Sequence, residues 1–273
     1  MAELTTRHLA VCGWSLEPES PGDLVDKLRR VGVHRIQMHL TGEAAADQAM
    51  RAALDEAGIE VVSGMMTPLG EDYSTLASIR RTGGVVVDER WPENHRLALQ
   101  VAEQAAAMGL ERVSLHAGFI PEDRSSEDFG KLRDRLIELA DLFSERGLHL
   151  LLETGQETAE GLEHFLAACD RPNLKVNFDP ANMILYGMGD PIEALERLMP
   201  LVEQVHLKDA LPSDEPGVWG TEVPVGEGAV DWPAYVNVLK RAGYEGDMAI
   251  ERESGSDRVG EIRRAAEHIG ALL

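Results

Sequence analysis

The feature that most constrains the fold of this chain is a repeat of helix, glycine and strand. Five times a helical pattern runs into one glycine followed at once by alternating apolar residues, in LRRVGVHRIQMHL, LDEAGIEVVSGMM, AAAMGLERVSLHAG, FSERGLHLLLETG and LKRAGYEGDMAIERE. Glycine is common just past the end of a helix because it adopts the left-handed conformation that closes the last turn. Each repeat therefore predicts a helix, its cap and a strand.

Three further apolar segments, LAVCGWSL, LKVNFDPANM and LVEQVHLKDA, complete eight short strands. Amphipathic helices separate them, for example at residues 93–108, 129–146 and 190–199. Strict alternation of strand and helix over 273 residues, of which 44% are hydrophobic, predicts an α/β protein with a (β/α)8 TIM barrel as its single domain, residues 1–273. A doubly wound sheet is the alternative, but the glycine-rich phosphate turn expected after its first strand is absent.

The formal net charge of −22 argues against nucleic acid as a partner, because an acidic surface repels phosphate backbones. The sequence has no apolar stretch of about 18 residues that would span a membrane and no signal-peptide pattern, so we expect a cytoplasmic protein. Cys12 and Cys169 are far apart in the sequence, which supports neither a disulfide framework nor a cysteine zinc site. The sequence leaves a homo-oligomer open.

Ionisable residues end consecutive predicted strands, namely His116, Glu153, Asp179, His206 and Glu251. A single acid at a strand end is more often a helix cap or an ion-pair partner. A barrel, however, brings the carboxyl ends of its strands to one rim, so these residues are expected to converge. Because three adjacent carboxylates could not all stay ionised without a cation, the pattern predicts a divalent metal site.

Other residues are predicted to line the same rim. Lys208 lies two residues after His206 and would point to the same side of an extended strand, where it either contacts substrate or pairs with a carboxylate such as Asp231. His116 and His39 are predicted to bind substrate hydroxyl groups, and Trp14 to supply an apolar wall. The long irregular segments 67–92 and 210–230 both follow strands and are expected on this face, with Trp219 in a lid or a surface loop.

Five segments, LLLETG, VNFDPANM, HLKDA, GEGAVDW and AIERE, give the sequence a resemblance to a known family. They resemble the metal-dependent sugar isomerases and epimerases with a xylose-isomerase-like barrel, a superfamily that also includes hydroxypyruvate isomerases, inosose dehydratases and abasic-site endonucleases. The resemblance covers essentially the whole chain. It implies one divalent ion, with manganese, magnesium or cobalt favoured and zinc an alternative, held by Glu153, Asp179, His206 and Glu251.

The resemblance also implies a reaction. In the epimerases of this family, the metal stabilises an enediolate of a ketose or keto-sugar, and the glutamates that match Glu153 and Glu251 transfer the protons. Many members have a histidine three residues after the aspartate, where this chain has Asn182. Asparagine can hydrogen-bond a substrate hydroxyl but cannot titrate, so chemistry that depends on that histidine is in doubt, as is the endonuclease activity.

Two further functions remain open at this stage. A lyase or hydratase could use the same metal and enediolate to eliminate a group from a keto-sugar, by dehydration or by keto-glycoside cleavage. A sugar sensor without catalysis is the other alternative, but it would have no reason to keep both glutamates. A phosphate site in SGSDR, residues 254–258, is disfavoured by the acidic residues around it, so we expect an unphosphorylated sugar.

Overall fold

A closed barrel of eight parallel strands forms the centre of the computed structural model, which describes residues 4–215 and 217–273. The barrel strands are Leu9–Cys12 (β1), Arg35–His39 (β2), Glu60–Met65 (β3), Arg112–Leu115 (β4), His149–Glu153 (β5), Leu174–Phe178 (β6), Val202–Leu207 (β7) and Asp247–Ile250 (β10). Each pairs with its neighbours in chain order, and β1 closes the barrel on β10. The predicted TIM barrel is confirmed.

Ten α-helices accompany the barrel within the described residues. They are Pro21–Val31 (α1), Ala44–Glu56 (α2), Leu76–Thr82 (α3), Trp91–Ala107 (α4), Glu127–Ser144 (α5), Ala159–Cys169 (α6), Pro180–Tyr186 (α7), Pro191–Leu198 (α8), Trp232–Ala242 (α9) and Arg258–Gly270 (α10). The three helices bounded from the sequence correspond to α4, α5 and α8, and their ends agree within two residues. None of the described helices is both long and apolar enough to cross a membrane.

The glycines of the five repeats have the conformation that the pattern predicts. Gly32, Gly58, Gly109, Gly147 and Gly243 all have φ between 66° and 84°, the left-handed region in which a Cβ is disfavoured. Each lies between a helix and the barrel strand that follows it. The repeat therefore reports where each helix ends and the chain turns back into the barrel.

The two long segments expected to be irregular contain regular structure. Helix α3 lies within residues 67–92, and residues 210–230 include most of an antiparallel hairpin of Asp209–Leu211 (β8) and Thr221–Val223 (β9). The expectation of irregular backbone was therefore wrong in part, because both elements are too short to show a period in the sequence. The segments do follow β3 and β7, as predicted, so they cover the carboxyl end of the barrel.

One glycine fixes the segment after β3 against the end of β4. Gly84 has φ 66°, and a Cβ on it would lie 2.0 Å from the carbonyl oxygen of Ala117. The backbone N–H of Gly84 donates a 2.7 Å hydrogen bond to Glu71 Oε1. The close approach of the two chain segments therefore holds Glu71 near the rim of the barrel.

Candidate metal centre

Four side chains meet at the carboxyl end of the barrel. The nearest donor atoms of Glu153, Asp179, His206 and Glu251 all lie within 4.8 Å of one another. His206 Nδ1 is 3.4 Å from Glu153 Oε1, 3.6 Å from Asp179 Oδ2 and 3.4 Å from Glu251 Oε2. These separations are close to those of donor atoms that share one ion at roughly 2.0 to 2.3 Å each. The structure thus brings together the four ligands predicted from the sequence.

Each of the four side chains comes from the end of a neighbouring barrel strand. Glu153 is the last residue of β5, and His206 lies one residue before the end of β7. Asp179 and Glu251 follow β6 and β10 directly. All four are buried, with exposed fractions of 5% or less. A charge at such a depth is costly unless it is paired or coordinates an ion.

Asp179 has two oxygens with different surroundings. Oδ1 accepts hydrogen bonds from the backbone N–H groups of Ala181 and Asn182 and so caps α7, which begins with Pro180. Oδ2 is buried and accepts no hydrogen bond from the described residues. Asp179 can therefore cap α7 and bind a metal ion at the same time, because each role uses a different oxygen.

The His206 ring is held on the side away from the carboxylates, where it contacts a residue of β2. Its Nε2 lies 2.8 Å from Gln37 Oε1 and 2.9 Å from Asn177 Nδ2, and these contacts hold the ring with Nδ1 facing the carboxylates. Nδ1 has no hydrogen-bond partner among the described residues. Cys12 Sγ lies 3.6 Å from Nε2, and burial raises the pKa of the Cys12 thiol to about 12, so the cysteine stays a neutral thiol beside the ring.

The pKa values show how the charges balance without a cation. Burial raises the pKa of Asp179 to about 6. Burial also opposes ionisation of Glu251, but Lys208 and His206 outweigh it and hold the pKa of Glu251 well below its ordinary value. The pKa of Glu153 is lowered as well, since His116 and His206 offset its burial. Of the three carboxylates, only Asp179 has a raised pKa, and burial is the main cause of that rise.

The donor set fits a divalent ion. Burial opposes protonation of His206, yet the negative groups around it raise its pKa well above the ordinary value, so a proton on this ring acts as the counter-charge. A divalent ion would replace that proton and use the buried atoms that meet there without a hydrogen-bond partner, Nδ1 of His206, Oδ2 of Asp179 and Oε2 of Glu251. Three carboxylates and one imidazole are typical ligands of manganese, magnesium or cobalt.

Lys208 is held between acidic groups and an amide. Its Nζ lies 3.0 Å from Glu251 Oε2, pairs with Glu253 at 2.5 Å, and donates to Asn182 Oδ1 at 3.3 Å. It is only 2% exposed. The predicted partner Asp231 was wrong, because its carboxylate caps α9 through the N–H of Ala234. Lys208 therefore contacts Glu251, one of the four candidate metal ligands, and Asn182 as well.

Asn182 connects the two sides of the centre. Its Nδ2 donates a 3.0 Å hydrogen bond to Glu153 Oε1, and its Oδ1 faces Lys208. A Cβ on Gly155, which has φ 149°, would lie 2.5 Å from the Cβ of Asn182. The absence of a side chain at residue 155 thus lets the loop after β5 pack onto α7 and places Asn182 against Glu153.

A pocket of about 640 Å³ opens above the centre. It is lined by all five residues predicted to bind substrate, Trp14, His39, His116, Asn182 and Lys208, and also by Met65, Thr67, Tyr73, Leu185, Tyr186, Trp219, Gly220, Glu222, Glu251 and Glu253. Trp14 is more than an apolar wall, because its Nε1 donates a 2.8 Å hydrogen bond to Glu251 Oε1. His39 is exposed at the rim. This pocket has the size of a small-molecule site.

Several residues of the site were missed by the sequence analysis. Glu71 and Tyr73 come from the segment after β3, where Tyr73 O–H donates to Glu71 at 3.1 Å. Tyr186 ends α7, and its ring packs against Trp219 with 4.7 Å between centroids. Gln37 was detectable, since it is a polar residue inside the strand RIQMH. Glu71 and Tyr73 lie in a loop and Tyr186 ends a short helix, where residue type and spacing do not indicate the direction of a side chain.

The segment SGSDR offers no free cation to a phosphate group, in agreement with the sequence analysis. Arg252 pairs with Glu222 at 2.6 Å and with Glu261 at 2.7 Å. Arg258 pairs with Glu17 at 3.3 Å and also donates to backbone carbonyl groups. Both guanidinium groups are thus occupied by the protein itself.

Comparison with known proteins places the chain in a family. The family model described as xylose isomerase-like TIM barrel matches residues 25–272. A solved structure of a xylose isomerase domain protein from Planctomyces limnophilus is 36% identical, with a TM-score of 0.86 and 91% of each chain covered. The structure of a 3-keto-D-glucoside 4-epimerase from E. coli is 17% identical, with a TM-score of 0.73, 97% of this chain and 99% of that chain covered.

A curated relative, an inosose dehydratase of Bacillus thuringiensis (strain Al Hakam), is 25% identical over 145 residues, which are 47% of this chain and 48% of the relative. The chain thus spans about half the length of the curated relatives it matches. The family match covers nearly all of the barrel and includes the four buried donor residues. This chain belongs to the xylose isomerase-like TIM barrel family.

Proposed function

We propose that this protein is a divalent-metal-dependent isomerase or epimerase of a ketose or keto-sugar. The observation that carries the proposal is the set of buried donor atoms from Glu153, Asp179, His206 and Glu251, all within 4.8 Å of one another, with Glu251 also lining the pocket. The ion would be held by these four residues. When bound, it would supply electrostatic stabilisation of negative charge that develops on substrate oxygens.

The two glutamates are proposed as the groups that move protons. Glu153 Oε1 is held by Asn182, whereas Oε2 accepts no hydrogen bond from the described residues and lies 3.8 Å from His116 Nε2. A carboxylate with one oxygen fixed and one free is suited to take a proton from the carbon beside a carbonyl group. We therefore assign the base to Glu153.

Glu251 is proposed to act on the other face of the substrate. Its Oε1 accepts from Trp14, and its Oε2 is 3.0 Å from Lys208 Nζ. Strands β6 and β7 separate it from Glu153 in the barrel, so substrate bound across the pocket floor would meet one carboxylate on each side. Such an arrangement serves inversion of a stereocentre through an enediolate, with Lys208 and His116 placed to hydrogen-bond the sugar oxygens.

Elimination is the second candidate, and the matches to inosose dehydratases favour it. The first step would be the same proton abstraction by Glu153. A hydroxyl group beta to the carbonyl would then leave as water, with its proton supplied from the side of Glu251 and Lys208. Loss of water changes the mass of the product, whereas isomerisation does not.

The test is turnover of a panel of keto-sugars in deuterated water with Mn²⁺. An isomerase or epimerase gives a product of substrate mass plus one solvent deuterium at the carbon beside the carbonyl, and a dehydratase gives a product lighter by water. Glu153→Gln and Glu251→Gln should each slow turnover by about two to four orders of magnitude. Glu203→Gln is the matched control, because Glu203 lies at the opposite end of the barrel. There its Oε2 is 2.7 Å from His149 Nδ1. Full activity in both test variants would remove the glutamates from the proposal.

A further inference from the structure

A second cavity adjoins the pocket on the same face of the barrel. This outer cleft, about 860 Å³, is formed by the chain segments that follow β3, β4, β5 and β6. Phe119 and Gln156 line it, and both contact Tyr186 of the pocket: the Phe119 and Tyr186 rings meet edge to face at 5.6 Å, and Gln156 Nε2 donates to the Tyr186 hydroxyl at 3.2 Å. The two cavities thus adjoin at Phe119, Gln156 and Tyr186.

Three arginines without a carboxylate partner lie together in the outer cleft of this acidic protein. Most lysines and arginines in the described residues lie within 4.0 Å of a carboxylate, Arg252 and Arg258 beside the pocket among them. Arg80, Arg81 and Arg124 line the cleft, and none has a carboxylate within that distance in the described part of the chain. The Arg80 guanidinium instead lies over the Phe119 ring, 4.8 Å from its centroid.

Acidic residues also line the cleft, but not all of them carry an unpaired charge. Asp128 lies 3.6 Å from Lys131, and Glu160 is exposed beside His164, whose Nδ1 lies 2.6 Å from Arg124 Nη2. Burial raises the pKa of Glu157 to about 8, so this side chain is neutral near pH 7. Glu122 is exposed. The three arginines without a carboxylate partner, together with Lys131, therefore outnumber the charged carboxylates that line the cleft, in a chain whose net charge is −22.

A buried acceptor without a partner points to a ligand in the same place. Gln156 is 5% exposed, and its Oε1 accepts no hydrogen bond from the described residues while its Nε2 is held by Tyr186. Leaving such an acceptor unpaired costs about 1 to 3 kcal/mol. A hydroxyl group of a ligand in the cleft would donate to this oxygen.

We propose that the outer cleft is a subsite for an anionic group, a carboxylate or a phosphate, carried on the end of the sugar that is remote from the metal centre. The inference rests on the proposed function and specifies its substrate as a sugar with an acidic arm. The reacting end lies over the four ligands, the middle passes the Phe119 and Tyr186 rings, and the arm reaches Arg80, Arg81 and Arg124. Guanidinium groups bind carboxylate and phosphate oxygens through paired N–H donors.

The subsite can be tested apart from the reaction. Calorimetry of inorganic phosphate with metal-free protein measures the cleft alone, because no metal is present to bind the phosphate. The Arg80→Gln, Arg81→Gln, Arg124→Gln triple variant should weaken this binding about tenfold or more, and added salt should weaken it in the wild type. A triple variant of Arg7, Arg30 and Arg96 to glutamine is the matched control. These arginines are exposed, lie in neither cavity and have no carboxylate within 4.0 Å among the described residues.

Sugar ligands then separate this inference from the proposed function. With Mn²⁺ present, D-fructose 6-phosphate should bind more tightly than D-fructose, and the cleft variant should abolish that difference while D-fructose binding is unchanged. Equal affinity for the two sugars, or the same loss in the control variant, would overturn the subsite. Binding of D-fructose that is unaffected by removal of Mn²⁺ would instead count against the proposed function and leave the phosphate result standing.

Discussion

Asp179 allows the structural and the ligand roles of one carboxylate to be separated. Its Oδ1 caps α7, and its Oδ2 faces His206 Nδ1 at 3.6 Å without a hydrogen bond from the described residues. Asp179→Asn can keep the capping oxygen while it removes the charge from the centre. Asp179→Ala removes both, and loss of an N-cap costs about 1 kcal/mol, with a range of roughly 0.5 to 2.

The two variants should therefore differ in the stability of the metal-free protein but agree in gaining little or no stability from metal. Metal-free Asp179→Asn should be at least as stable as the wild type, because burial already raises the pKa of Asp179 to about 6 and the charge is costly. Asp179→Ala should be less stable by the cost of the cap. Mn²⁺ at 100 times its Kd should stabilise the wild type by about 2.7 kcal/mol. For a chain of this size that corresponds to a rise in Tm of about 5 to 11 °C.

Thermal unfolding followed by circular dichroism, with EDTA or with Mn²⁺, gives both quantities. The expected result is a large Mn²⁺-dependent rise in Tm for the wild type and little or none for either variant at the same Mn²⁺ concentration. If Asp179→Asn were destabilised as much as Asp179→Ala, the assignment of capping to one oxygen and metal binding to the other would be refuted. An unchanged Mn²⁺ response in both variants would refute the ligand role.

Three further predictions follow from buried groups around the centre. Glu157→Gln in metal-free protein should gain stability over the wild type as pH rises from 5 to 8, by up to about 1.4 kcal/mol per pH unit. The reason is that the folded-state pKa of Glu157, about 8, lies above its unfolded-state pKa. A difference in urea unfolding that does not change with pH would contradict this. Asp209→Ala should lower the free energy of unfolding by about 3 kcal/mol or more, because this buried carboxylate accepts hydrogen bonds from Gly226 N, Gly228 N and Trp232 Nε1. An unchanged urea midpoint would contradict this prediction. Asn182→Ala should lower kcat about 10- to 100-fold, because the variant no longer holds Glu153 in position. The pH–rate profile should show no new ionisation. A shifted profile would show that Asn182 controls a proton instead.

The barrel was predictable because its signal is repeated along the chain. Each glycine between helix and strand reports a local backbone requirement, and eight alternations leave few other topologies. The four ligands were predictable for a related reason. They occupy equivalent strand ends, and closure of the barrel by β1 against β10 makes equivalent positions neighbours in space. Topology alone therefore sufficed to bring Glu153 and Glu251 together.

The rest of the site depends on packing that no local pattern encodes. Asp209 lies inside the segment HLKDA, but its role in holding the backbone of Gly226 and Gly228 becomes visible only when the loop after β9 folds back on it. Lys208 was placed correctly, whereas its partners are Glu251 and Glu253 and not Asp231. Loop direction, and hence which acid meets the lysine, is set by tertiary contacts such as the approach of Gly84 to Ala117.

The outer cleft also depends on packing that no local sequence pattern encodes. Arg80, Arg81 and Arg124 come from the segments after two different strands, and nothing in their spacing indicates a shared surface. The expectation of an unphosphorylated sugar was drawn from residues 254–258 and their surroundings, where Arg252 and Arg258 are both paired with acids. That argument addresses one end of the pocket only, and the proposed anionic subsite lies on the other side of Tyr186.

The central claim is that Glu153, Asp179, His206 and Glu251 form one metal site. The most direct test is titration of metal-free protein with Mn²⁺ by calorimetry, combined with elemental analysis of the dialysed complex. The wild type should bind one ion per chain, and His206→Ala should lose the site while His149→Ala, changed at the opposite end of the barrel, keeps it. Full occupancy in His206→Ala, or no bound ion in the wild type, would contradict the claim.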